Sequence, residues 1–72
     1  MDKNLDLMIS ENIKKEIEQS GLKKSEIAEA IGVSRATVSQ YVSGRAQPTL
    51  ATFSRLCAVL DCSADDVLNL KN

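Results

Sequence analysis

Histidine is absent from the 72-residue chain, which removes His-based catalytic triads and the commonest metal ligand together. Tryptophan is missing too, and Tyr41 and Phe53 are the sole aromatics, a poor platform for stacking single-stranded bases. No apolar run approaches the roughly 18 residues of a membrane span. Nor is an export signal expected, since Leu7-Met8-Ile9 is short and flanked by Asp6 and Glu11. Excess positive charge is lacking: nine Lys and Arg stand against ten Asp and Glu, a net of −1. That balance argues against a polycation that coats nucleic acid or membrane by bulk charge. Cys57 and Cys62 match no zinc spacing and are too few for a metal site. They are expected to stay reduced in a cytoplasmic protein, as small apolar fillers or neutral surface residues. No metal, no cofactor and no nucleophile–base pair is expected, and therefore no enzyme.

Hydrophobic residues make up 43% of the chain, enough for a compact core, and the length suits one small domain, taken as residues 1–72. The pattern is helical throughout, with nothing alternating in period two for long enough to make a strand. Leu5, Ile9, Ile13 and Ile17 recur at i, i+4, and Gly21 supplies a left-handed end to that first helix. A short helix follows with Ile27, Ala28 and Ile31 on one face, closed by Gly32. Ser34 is a good N-cap for a third helix from about Arg35 to Ser43, which stops at Gly44. Thr49 caps a fourth helix bearing Leu50, Phe53, Leu56, Cys57 and Leu60. Ser63 with Asp66 three residues on reads as a capping box for a last short helix. Residues 1–4 and 71–72 are expected to be loose.

The informative stretch is residues 24–44, two short helices joined by a tight Gly-containing turn, the geometry of a helix-turn-helix. On a wheel of about 100° per residue, Val38, Tyr41 and Val42 of the second helix share one side. Ala36, Gln40 and Ser43 lie opposite, flanked by Arg35, Ser39 and Thr37. No acid occurs from Gly32 to Ala46, and a small, polar, acid-free face is what entry into a DNA major groove requires. Tyr41 is expected to be half-buried, with its hydroxyl at solvent or a phosphate. Lys14 and Lys15 read as a solvated face, and Asp61, Asp65 and Asp66 as helix caps.

Gly21-Leu22, Ile27-Ala28, Ile31-Gly32-Val33-Ser34, Val38-Ser39-Gln40-Tyr41, Gly44-Arg45 and Pro48-Thr49-Leu50 stand in register. Together they resemble the lambda-repressor/Cro-like helix-turn-helix family of phage and bacterial regulators, with the match running over roughly residues 9–68. The resemblance implies an all-α, compact five-helix domain that binds double-stranded DNA through helix 3. It implies base reading by Ser34, Arg35, Ala36, Thr37 and Gln40, with Arg35 suited to guanine, Gln40 to adenine and the Ala36 methyl to thymine. It also implies DNA-backbone contacts by Lys23, Lys24, Ser39, Ser43, Arg45 and Gln47.

Three departures stand out. Lys23 replaces the hydroxyl that usually caps the first motif helix, at about 1 kcal/mol. Asp61 replaces a glycine before the last helix, and Glu16 takes a place usually apolar, with Ile17 beside it.

The resulting expectation is a sequence-specific transcriptional regulator, most simply a repressor, working as a homodimer at least on its DNA operator. The expected dimer surface is Val59, Val67, Leu68 and Leu70. The alternative is a protein-interaction module of the same fold, an antitoxin with its toxin or an anti-repressor. The near-neutral total is unevenly spread: residues 21–55 hold five bases against two acids, and both flanks are acidic. This predicts modest non-specific binding and dependence on base contacts.

Overall fold

The computed structural model describes residues 3–68. Among them five helices follow in order: α1 (Lys3–Ser20), α2 (Lys24–Ile31), α3 (Arg35–Ser43), α4 (Leu50–Leu60) and α5 (Ala64–Leu68). The all-α five-helix architecture implied by the resemblance is the one observed. α1 starts at Lys3, so Lys3 and Asn4, expected to be loose, belong to its first turn. Its Ile13 and Ile17 are buried and Ile9 packs against the core, whereas Leu5 at the outer end of the same stripe remains exposed. Ser20 closes the helix by donating its hydroxyl to the Ile17 carbonyl (2.6 Å) and accepting the Leu22 N–H (3.1 Å).

One core gathers all five helices: Ile13 and Ile17, Ile27, Ala28 and Ile31, Val38 and Tyr41, Leu56 and Leu60, and Val67. α1 packs on α3, α5 and α4, while α2 packs on α3 and α4. Ile27 and Val38 are wholly inaccessible to solvent, and burying each side chain contributes about 1.5–3 kcal/mol. Tyr41 is buried with them, not half-buried as the sequence suggested, because α1 as well as α2 closes over the inner side of α3. Leu50 departs in the opposite sense. Placed on the apolar stripe of α4, it is 86% exposed in the first turn.

α4 ends where Asp61 adopts φ 55°, ψ 45°, the left-handed conformation that aspartate tolerates better than most residues. Its N–H reaches the Ala58 carbonyl (3.3 Å), and the Cys62 N–H reaches that of Cys57 (3.0 Å). The capping box of α5 is complete: the Asp66 N–H donates to Ser63 Oγ (3.2 Å) and the Ser63 N–H to Asp66 Oδ2 (3.1 Å). Across the molecule, Asn12 Nδ2 donates to the Val67 carbonyl at 2.8 Å, tying α5 to α1. That docking removes Val67 from the expected dimer surface and leaves Val59 and Leu68 half-buried. Val67 is buried, Val59 and Leu68 pack against the core, and Leu70 lies outside the described residues.

Candidate nucleic-acid interface

The turn between α2 and α3 is built by Gly32 at φ 79°, ψ 30°, a conformation with little penalty only for glycine. The Gly32 and Val33 N–H groups both reach the Ala28 carbonyl (2.9 and 3.0 Å), so α2 stops and the chain reverses within three residues. Ile27, Ala28 and Ile31 of α2 then meet Val38 and Tyr41 of α3 in the core. This contact sets the crossing of the two helices and turns the opposite side of α3 outward.

Ser34 opens α3 from extended backbone (φ −80°, ψ 158°). Its Oγ accepts the Thr37 N–H at 3.1 Å and lies 2.9 Å from Thr37 Oγ1. The hydroxyls of these two expected base readers are therefore engaged with each other and with the cap, and Thr37 is half-buried. Arg35, Ala36, Gln40 and Ser43 are exposed, and this helix presents them outward. Ser39 is half-buried at the edge.

The far end of α3 is bound tightly. The Gln40 carbonyl accepts from the Arg45 N–H (3.0 Å), the Ala46 N–H (3.3 Å) and the Ser43 hydroxyl (3.2 Å). Gly44 sits at φ 82° against α1, where a Cβ would lie 3.3 Å from Ser10 Oγ; Ser10 is buried. Arg45 is exposed in the loop that follows, and Gln47 Nε2 donates to Asp6 Oδ1 at 3.4 Å. Asp6 and Leu7 of α1 line a groove of about 340 Å³ with Ser10, Ser43 and Gly44. The acid-free stretch thus meets an acid in space, since Asp6 shares a groove with Ser43 and Gly44 and bonds Gln47, 41 residues away in sequence. No local sequence signal marks Asp6 for that place.

Lys23 and Lys24 lie at the start of α2. Lys23 is the N-cap residue and makes no side-chain cap bond, since a lysine ammonium has no acceptor. Only the return half of a capping box forms, the Lys23 N–H donating to Glu26 Oε1 at 2.8 Å. Lys23 is exposed and Lys24 half-buried. Among the described residues no three His, Cys, Asp or Glu side chains gather as metal ligands, and no helix is long and apolar enough to cross a membrane.

A family model described as helix-turn-helix matches residues 13–67, which takes in all of α2, α3 and α4. Comparisons with curated proteins and with solved structures return no match.

Proposed function

The chain belongs to the lambda-repressor-like helix-turn-helix family of DNA-binding regulators, and on that premise we propose that it is a sequence-specific repressor of a double-stranded operator. The observation that carries this reading is the outward side of α3, where exposed Arg35, Ala36 and Gln40 project from a helix anchored by buried Val38 and Tyr41. In the major groove an arginine pairs bidentately with guanine, a glutamine with adenine, and an alanine methyl meets a thymine methyl. Ser34 and Thr37 stand at the same end of α3 and act chiefly by holding its first turn in shape.

Lys23, Lys24 and Arg45 supply phosphate contacts on either side of the reading helix, with Ser39, Ser43 and Gln47 adding polar ones. Ser43 and Gln47 must first release Gln40 and Asp6. One such domain reads few bases, so specificity calls for two copies on a pseudo-palindromic site with half-sites about 34 Å apart. We place the protein in the cytoplasm, as a homodimer at least on DNA and not an enzyme.

In vitro selection from random duplexes, followed by fluorescence anisotropy across a salt series, tests this. The expected result is a two-fold symmetric consensus bound with an affinity that falls steeply with salt. Arg35→Ala should relax preference at one base position by about 1–3 kcal/mol, whereas Lys24→Ala should weaken all duplexes alike and reduce the salt slope by about one. Equal affinity for random duplex overturns the repressor reading. Absence of binding at low salt does so too, and points to a protein partner such as a toxin.

A further inference from the structure

The corner between α4 and α5 places two thiols against each other. The bonds Asp61 N–H to Ala58 carbonyl and Cys62 N–H to Cys57 carbonyl form the Schellman motif, with Asp61 as its left-handed residue. In this motif the residue after the left-handed position packs against the residue five places earlier, and that contact is ordinarily between two apolar side chains. Here the two positions are Cys62 and Cys57. Cys62 packs against the core, both cysteines are unpaired by any disulfide, and both are half-buried, so a small reagent can reach them.

We propose that Cys57 and Cys62 are a reversible modification site, a thiol pair that closes to an intramolecular disulfide by exchange with a low-molecular-weight disulfide. A disulfide needs its two Cα atoms within roughly 4.4–6.8 Å, and a six-residue turn whose ends share a 3.0 Å backbone hydrogen bond meets that need without unwinding α4. The exchange runs in two displacements. The Cys57 thiolate attacks one sulfur of oxidised glutathione, forms a mixed disulfide and expels one glutathione thiolate. Cys62, after losing its proton, attacks the Cys57 sulfur and expels the second. Two protein thiols are oxidised, one glutathione disulfide is reduced to two thiols, and the two protons lost by the protein end on those thiols.

Cys57 is the better first attacker because the Cys62 S–H stabilises its thiolate. Burial pushes both thiols up, Cys62 to about 12, and the carboxylates of Glu16 on α1 and Asp66 on α5 push in the same direction. Both cysteines therefore rest protonated at neutral pH, and since the thiolate is the attacking form, closure accelerates as pH rises. The site lies at the opposite end of α4 from the Thr49 cap and the Arg45–Gln47 loop, so the modification acts on the docking of α5 and not on the reading helix.

The test uses the full chain in glutathione buffers graded from reducing to oxidising, with free thiols trapped by alkylation and products read by intact mass and peptide mapping. The expected product is a monomer lighter by two hydrogens with a Cys57–Cys62 crosslink, reversed by dithiothreitol. Its rate of formation should rise about tenfold per pH unit near neutrality, following the thiolate fraction. Cys57→Ser and Cys62→Ser, checked for native helicity by circular dichroism, should each stop at a single glutathione adduct. Persistent adducts on both cysteines of the unmodified chain overturn the proposal. So do disulfides between two chains, or thiols still alkylatable at the oxidising end.

Discussion

The two helices of the motif begin in different ways. α3 starts on Ser34, whose Oγ accepts the Thr37 N–H, whereas α2 starts on Lys23, which offers its first turn no acceptor. A cap satisfies one of the four N–H groups left over at a helix start and fixes the first turn. In α3 that turn carries Arg35 and Ala36, the side chains we propose as base readers, whose directions the cap helps to set. In α2 the first turn is left open beside two lysines, and open N–H groups at the positive end of a helix suit an anion from outside. The backbone bond from Lys23 to Glu26 keeps the entry angle of α2 without closing it. On the function proposed above, the contrast separates a start that orients base readers from a start left available to a phosphate.

The largest perturbation removes what the two helices share. Ile27→Ala should destabilise the domain by about 2–5 kcal/mol, a large part of the total for a chain this small, and urea unfolding followed by circular dichroism reads it directly. A loss below about 1 kcal/mol would mean that the contact through Ile27 and Val38 does not set the crossing.

Ser34→Ala should be milder, about 1 kcal/mol of stability, with base preference relaxed more than overall affinity for duplex DNA. If preference is untouched, the cap does not orient the reader. The smallest effect is expected from Lys23→Ser, which supplies the acceptor α2 lacks. Stability should rise by about 0.5–1 kcal/mol while affinity for specific and random duplexes falls by the same factor. A variant that is more stable and binds DNA unchanged would remove the functional side of the contrast.

Features that depend on neighbours in sequence were legible in advance. Ser34, Thr49 and the Ser63–Asp66 pair cap where their side chains predict, and Gly21, Gly32 and Gly44 all take positive φ. These are bonds or torsions spanning a few residues, so composition and spacing decide them. What escaped depends on contacts between distant segments. Val67 looked available for a partner until Asn12 and α1 closed over α5, and Tyr41 lost its exposure to the same helix. Leu50 fits the apolar period of α4, yet it falls in the first turn, beyond the edge of the packed layer. Asp6 reaches the loop after α3 only because α1 extends past the core. The cysteine pair lies between these cases. The spacing of five was visible, but its meaning required knowing that Asp61 turns left-handed between them.

Gly44 carries one consequence for the thermodynamics of recognition. With Ser10 so near that even a methyl group would crowd it, and with the Gln40 carbonyl accepting from Ser43, Gly44, Arg45 and Ala46, the end of α3 is seated on α1 before any duplex arrives. Segments that fold on binding add a large negative heat-capacity change beyond that of the interface itself. A reading helix already seated has no such folding to complete. Calorimetric titration over a range of temperatures should therefore return a heat-capacity change accounted for by the buried interface alone, and the entropy lost on binding should come from side chains such as Arg35 and Arg45.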